Sequence, residues 1–345
     1  MRGPCVRRLE YKMKQHQPNR NILFAGAARG VFVESLGEIT PDDLGERREV
    51  KKKKLTGADI LRHGIFVFAV AVFVYCLYNI VDRVIAYEKA ENIYSQIQDE
   101  FHNINQNKRD DISVLAKNIR DTGMALVNTQ KNDGPVINPD EFNERFVQMR
   151  AQLILLQKKN QDTVGWIRIP DTDKTAVDYP IMQGPEGTDN DYYLRRAFDG
   201  TYNQAGSIFM DYRNRGSLSD MQNTIIYGHH MSSGAPMFAN LVNYKSQGFW
   251  QTNRYIEVYT TDGIYTYEIF AAYEVSPYYY DGCYFTTDFS EEGLFARFLA
   301  GIAQNNGIET GVTVTEKDRI LTLSTCSDNG KKRFAVHGKL VSIEN

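Results

Sequence analysis

The sequence predicts a mainly β domain, either a barrel or a sandwich, that follows a membrane-spanning helix and a helical segment. Three observations lead to this expectation. From about residue 161 onward, short runs of β-branched and aromatic residues recur at regular spacing between turn residues. Residues 64–81 form an uncharged apolar run. Between these regions, residues 84–160 are mainly polar, with apolar residues at helical spacing.

The N-terminal region predicts a tail and a membrane anchor. Residues 1–60 show no clear periodicity, so we expect a cytoplasmic, disordered tail. The 18 apolar residues at 64–81, extended by their flanks, are just long enough to cross a bilayer, and we place the membrane helix at 61–83. Lysines 51–54 and Arg62 precede the run, so the positive-inside rule predicts that the chain from about residue 82 onward lies outside the cell. A buried core helix or a signal peptide is the alternative, but no small-residue cleavage site follows the run.

Residues 84–160 predict an extracellular helical stalk. One apolar stripe, 142, 146, 149, 153 and 156, follows the spacing i, i+4, i+7, i+11 and i+14 of a helix face. The sequence Asp-Gly-Pro at 133–135 separates it from an earlier stripe. We expect these stripes to be packing surfaces, the last of them against the β domain at residues 161–345.

The β domain is predicted to hold a series of short strands. Asp262-Gly263 between two alternating runs indicates a hairpin, and residues 291–302 have a helical pattern. The strand-like runs are 164–170, 177–184, 206–211, 223–228, 255–259, 264–269, 319–326 and 334–343.

Three side chains in this domain suggest nucleophilic catalysis. Cys326 ends an alternating run, a loop follows at once, and Arg333 comes after it. A thiol beside a guanidinium can be a nucleophile next to an oxyanion stabiliser. His229 follows another strand that ends at Gly228, so the imidazole and the thiol can meet at one rim of a barrel. His337 lies within a strand run, which is more typical of a packed or surface histidine.

The sequence gives less support to a metal-binding protein, a nucleic-acid binder or a disulfide-bonded domain. The spacing of Cys and His contains no metal-binding pattern. No basic patch is interleaved with aromatic residues in the folded part, which argues against a nucleic-acid binder. Cys326 can instead pair with Cys283 in a disulfide, since both would lie outside the membrane.

The motifs resemble the sortase family of Gram-positive bacteria, and its class B in particular. The similarity rests on Leu-Ser-Thr-Cys at 323–326 before Arg333, with Tyr-Gly-His-His at 227–230 upstream. It covers about residues 140–345 and implies a closed β-barrel of about eight strands with N-terminal helices and one inserted helix. Segments that match class B in the same order are 164–167, 179–183, 189–194, 206–209 and 223–231.

The resemblance implies a cysteine transpeptidase without a cofactor. Cys326 would attack a C-terminal sorting signal of a secreted protein, typically of the Asn-Pro-x-Thr type, and form a thioester. An amine of a peptidoglycan precursor or a pilin would then resolve it. His229 would transfer protons, and Arg333 would hold the oxyanion. The resemblance gives a substrate-lining role to Asn190, Leu194, Tyr227 and Ser324, and a supporting role to Asp328 and His230.

Two other functions stay open at this point. One is a cysteine hydrolase, because the Cys–His–Arg set does not exclude water as the acceptor. The other is a membrane-tethered binding or assembly module in which Cys326 forms the disulfide. The sequence also leaves open whether the acceptor amine belongs to diaminopimelate, a glycine bridge or a pilin lysine.

Overall fold

Eight strands form a closed barrel in the computed structural model, which describes residues 56–102, 106–129, 144–170, 177–231, 237–276, 285–327 and 332–345. Their order around the barrel is β1-β2-β3-β4-β7-β8-β6-β5. The strands are β1 (Thr163–Ile169), β2 (Val177–Met182), β3 (Ile208–Met210), β4 (Asn223–Tyr227), β5 (Tyr255–Tyr259), β6 (Ile264–Val275), β7 (Ile320–Ser327) and β8 (Lys332–Glu344).

The barrel is mixed rather than purely antiparallel. The pairs β2–β3 and β4–β7 are parallel, and the other pairs are antiparallel, including the β1–β5 pair that closes the barrel. This closure confirms the barrel and excludes the sandwich. Strand β6 is six residues longer than predicted, because 270–275 stay paired with β8 as far as Val275 opposite Arg333.

Successive side chains of β7 point to opposite faces of the sheet, and each face packs into a different apolar cluster. Leu321 and Leu323 point into the main core of the barrel. Ile320 points to the opposite face, where it joins a second cluster with Ala335 of β8 and Phe298 of α5 (Leu294–Asn305). We call this second side of β7 and β8 the α5 face. The helix predicted at 291–302 is thus present, and it covers the strands that carry the candidate thiol.

The chain divides after Tyr75 into two units, and the helix α1 (Gly57–His102) begins in the first. Its apolar part is long and uncharged enough to cross a membrane, by length and composition. The helix continues well past the predicted span at 61–83. Within the second unit its last turns pack on the barrel: Phe101 stacks on Trp166 at 3.9 Å between ring centroids, and the Tyr94 hydroxyl donates to the Gly206 carbonyl at 2.7 Å.

Further helices follow α1. They are α2 (Gln106–Thr129), α3 (Glu144–Lys159), a 3-10 helix (Ala239–Lys245) and α4 (Gln247–Thr252). Helix α3 buries the predicted apolar stripe through Phe146, Leu153 and Leu156. The predicted break at 133–135 lies outside the described residues.

Candidate active site

Cys326 and Arg333 face each other across two antiparallel strands. The register of β7 and β8 places Cys326 opposite Arg333 and Ser324 opposite Ala335. Residues directly opposite in such a pair have Cβ atoms about 4.5–5.5 Å apart and point to the same face of the sheet. Since Ala335 belongs to the α5 cluster, Cys326 and Arg333 both lie on the α5 face, at the end of the two strands.

His229 reaches the same level of the barrel from strand β4. Parallel pairing sets Tyr227 beside Ser324, and the Gly228 N–H donates to the Ser324 carbonyl at 3.1 Å. His229 and Cys326 each follow this pair by two residues, so they lie at one end of neighbouring strands. Gly228 is needed here because a Cβ would lie 2.7 Å from the ring of Phe238, inside van der Waals contact.

The His229 ring is held in one tautomer. Its Nε2 lies 2.7 Å from the Leu194 carbonyl oxygen, and because a carbonyl can only accept, Nε2 carries the hydrogen. In the neutral ring Nδ1 is then the acceptor. Burial is the main cause that lowers the pKa of His229, and the charges of Arg195 and Arg333 lower it further. The imidazole is therefore neutral at neutral pH and lies within the electrostatic reach of Arg333.

Cys326 is a free, partly exposed thiol. The alternative of a disulfide with Cys283 is therefore wrong for this structure, although Cys283 itself lies outside the described residues. A free thiol with some access to solvent is what a nucleophile requires. In the part of the chain that the structure describes, no three His, Cys, Asp or Glu side chains come together as a metal site.

Two of the predicted substrate-lining residues meet at a residue that the sequence reasoning missed, Asp211. Asn190 Nδ2 and the Tyr227 hydroxyl both donate to Asp211 Oδ2, at 3.0 and 2.9 Å. Arg213 holds the same carboxylate through Nε and Nη2, each at 2.8 Å. Burial acts to raise the pKa of Asp211, but the hydrogen bonds and charge of Arg213 keep it below its usual range, so the carboxyl is ionised. In the sequence, Asp211 is the acidic last residue of the strand-like run 206–211, and nothing else marks it.

The other predicted site residues have separate surroundings. Leu194 is half-buried against the main core and contributes its carbonyl to His229. Ser324 is buried below Cys326 on the same face. His230 is exposed, and its backbone bridges to Met237. Asp328 lies outside the described residues.

His337 forms the floor of this face, four residue pairs along the ladder from Cys326 and Arg333, which makes it the second pair below them on the same face. The Thr322 hydroxyl donates to Asn223 Oδ1 at 2.7 Å, so it accepts from His337 Nδ1 at 2.9 Å. His337 Nε2 then accepts from the Tyr273 hydroxyl at 3.0 Å. Burial lowers the pKa of His337 to about 3, which keeps the ring neutral. The packed histidine that the strand pattern favoured is confirmed, and its chain of hydrogen bonds ties four strands together.

The chain is similar to known proteins over its barrel. A sortase domain family model matches residues 167–341. Sortase B of Listeria monocytogenes is 41% identical over 198 residues, which cover 56% of this chain and 76% of the relative. Sortase B of Staphylococcus aureus is 36% identical over 199 residues, which cover 56% of this chain and 77% of the relative.

Solved structures of the Staphylococcus aureus protein share the fold. Its crystal structure has a TM-score of 0.50 at 31% sequence identity, covering 66% of this chain and 96% of the solved one. The structure described as a Staphylococcus aureus sortase B–substrate complex has the same TM-score and identity, and covers 66% and 94%.

Proposed function

The chain belongs to the sortase family, class B, whose members are transpeptidases, and we propose that it joins secreted proteins to a cell-wall amine through a thioester on Cys326. The proposed substrate is a C-terminal sorting signal, and the proposed acceptor is an amine of a peptidoglycan precursor or a pilin. One observation carries the proposal: Cys326 and Arg333 face each other on the α5 face of β7 and β8, and His229 lies two residues past the end of the neighbouring strand β4, at the same end of the barrel.

Acylation would begin at the thiol. Cys326 Sγ attacks the scissile carbonyl carbon while its proton passes to Nδ1 of His229, which is the acceptor nitrogen of the neutral ring. Negative charge develops on the carbonyl oxygen, and the positive charge of the Arg333 guanidinium stabilises it. The carbon–nitrogen bond then breaks, the imidazolium returns the proton to the leaving amine, and a thioester remains.

Resolution would reverse these roles. The incoming amine attacks the thioester carbon and loses a proton to His229, Arg333 again stabilises the oxyanion, and the sulfur leaves. The imidazolium returns its proton to the sulfur, so the thiol is restored. The product is an amide between the secreted protein and the acceptor, and the enzyme ends in its starting protonation state.

Membrane attachment is proposed through α1. The apolar residues 64–81 at its start are exposed in the described chain, as a lipid-facing segment requires. The lysines and arginine before this segment favour a cytoplasmic N-terminus and a catalytic barrel outside the cell. We keep the predicted organisation of tail 1–60, membrane helix 61–83, helical segment 84–160 and barrel 161–345 as part of the proposal.

The test uses the purified full chain in detergent and a peptide containing Asn-Pro-x-Thr, with and without an amine such as diaminopimelate or triglycine. The products are identified by mass. We expect cleavage after Thr and, with an amine, a product heavier by that amine. Cys326→Ala should be inactive and Cys76→Ala, which removes the exposed thiol of α1, should be active. Free acid as the only product at every amine concentration would favour the hydrolase, and absence of cleavage would contradict the proposal.

A further inference from the structure

Asp211 has more hydrogen-bond partners than its ion pair requires. Its side chain is fully buried. The Arg213 guanidinium donates to both carboxylate oxygens, and the Arg213 backbone N–H donates to Oδ1 at 3.0 Å. Asn190 and Tyr227 add two further donors on Oδ2, from two other segments of the chain. The carboxylate thus fixes two side chains that are only half-buried.

The geometry fixes the direction of each group. Asn190 is held at both ends of its amide, because Oδ1 accepts from the Tyr212 N–H at 3.0 Å while Nδ2 donates to Asp211. The Tyr227 hydroxyl donates its hydrogen to Asp211, so toward any other group its oxygen acts as an acceptor. An amide of set orientation beside a phenol of set orientation can match the N–H and C=O groups of an extended peptide.

The position of Tyr227 relates this pair to the thiol. Tyr227 pairs with Ser324, two residues before Cys326, and two residues of a strand span about 6.6 Å. A peptide that runs alongside β4 covers this distance in two residues. An extended peptide attacked at Cys326 can therefore reach this pair with backbone groups a few positions from the attacked carbonyl.

We propose that Asp211 is a positioning residue that holds the Asn190 amide and the Tyr227 hydroxyl for the backbone of the peptide substrate. The inference rests on the proposed function, because it assigns the pair to the same groove as Cys326. Asp211 itself does not touch the substrate. Its role differs from a purely structural one, in which it would only anchor Arg213, whose Nη2 donates to the Phe285 carbonyl at 2.9 Å.

The first test is Asp211→Asn, which keeps the size of the side chain but replaces one acceptor oxygen with a donor. With the Asn-Pro-x-Thr peptide and the full chain, we expect KM to rise about tenfold with kcat within twofold, as for lost ground-state binding. Asp262→Asn is the matched control, since Asp262 also accepts from a tyrosine, Tyr265 at 3.0 Å, in the β5–β6 turn. Its KM should equal that of the wild type even where its thermal stability falls.

A second test separates positioning from folding. If Asp211 acts through Asn190 and Tyr227, then Asp211→Asn should add less than twofold to KM in the Asn190→Ala/Tyr227→Phe background. A tenfold effect that persists there, or equal KM values for the Asp211 and Asp262 variants, would overturn the inference. If Asp211→Asn does not fold, a double-mutant cycle of Asn190→Ala and Tyr227→Phe replaces it. We expect the combined effect on KM to differ at least twofold from the product of the two single effects. Strictly multiplicative effects on KM would contradict the inference.

Binding of the same peptide to Cys326→Ala separates this inference from the proposed function. The dissociation constant needs no turnover, and adding Asp211→Asn should raise it about tenfold. The wild-type chain can prove inactive while Asp211→Asn still raises the dissociation constant in the Cys326→Ala chain. That result would contradict transpeptidation and support the role of Asp211. Absence of peptide binding, or an unchanged dissociation constant, would overturn the role of Asp211.

Discussion

His229 and Leu194 are joined by a 2.7 Å hydrogen bond between the imidazole Nε2 and a backbone carbonyl. This bond selects the tautomer whose Nδ1 accepts a proton. The backbone carbonyl of Leu194 therefore determines which nitrogen of His229 can act as the base. Gly206 lies against the same carbonyl with φ of 59°, and a Cβ there would lie 2.9 Å from the Tyr193 carbonyl and closer still to that of Leu194.

Gly206→Ala should therefore impair catalysis through the Leu194 carbonyl. The methyl group displaces this acceptor, and we expect kcat to fall about 10- to 100-fold because the imidazole loses its orientation. Gly200→Ala is the control: its φ of 77° carries the same backbone strain, but no atom lies within 4 Å of the added Cβ. Both variants should lose thermal stability. Equal kcat values for the two, measured by peptide cleavage, would show that the Leu194 bond does not matter.

The acidic limb of the pH–rate profile should report His229. His229 must be neutral to accept the proton of Cys326. Because the pKa of His229 lies below its ordinary value of 6.5, kcat/KM should be retained at pH 6.5 and fall only at lower pH. Arg195→Gln removes a charge that lowers this pKa, so the limb should move to higher pH. Arg196→Gln removes the neighbouring exposed charge, which has no such effect on His229, and should leave the limb in place. A limb that stays fixed in Arg195→Gln would argue against His229 as the titrating base.

Arg333 should be needed for kcat more than for stability. We expect Arg333→Gln to lower kcat by about 10²–10³-fold, the effect of removing one oxyanion donor. Arg333→Lys keeps the charge but loses the planar fork, so it should recover only part of the rate. Lys332→Gln is the neighbouring control, because Lys332 is exposed and pairs with Glu274 at 3.3 Å. A rate for Arg333→Gln equal to that of Lys332→Gln would remove Arg333 from the mechanism.

His337 should make the fold sensitive to acid. Its pKa is about 3 in the folded chain and about 6.5 in the unfolded one, so the unfolded state binds the proton first. The stability that the neutral ring contributes is complete above pH 6.5 and is lost as the pH falls below it, by up to about 1.4 kcal/mol per pH unit.

His337→Gln removes this titration. Thermal unfolding between pH 7 and pH 4 should show a lower melting temperature at pH 7, because the hydrogen-bond chain from Thr322 to Tyr273 is disturbed. It should also show a smaller decline toward pH 4 than in the wild type. An identical decline in the two proteins would assign the acid sensitivity to other groups.

Much of the barrel followed from the sequence, because alternation over short runs is a local property. The thiol and the imidazole also stood at strand ends that could be recognised from the turn residues near them, and the guanidinium stood at a strand start that follows turn residues. The closure of the barrel through β1 and β5 could not be predicted in this way, since pairing partners distant in the chain leave no local pattern.

The contacts that organise the site were harder still to foresee. The bond from His229 to Leu194 uses a carbonyl, which every residue has, so no residue type marks it. Asp211 looked like the end of a strand, because two of its side-chain partners, Asn190 and Tyr227, come from other parts of the sequence. Such shared acceptors become visible only when the backbone brings the segments together.

The most direct test of the central claim is the intact mass of the full chain in detergent after brief incubation with the Asn-Pro-x-Thr peptide and no amine. We expect an added mass equal to the acyl part of the peptide, mapped by digestion to the fragment with Cys326. The adduct should persist in Cys76→Ala, be absent in Cys326→Ala and disappear when an amine is added. An adduct on another residue, or none in a chain that cleaves the peptide, would contradict a thioester on Cys326.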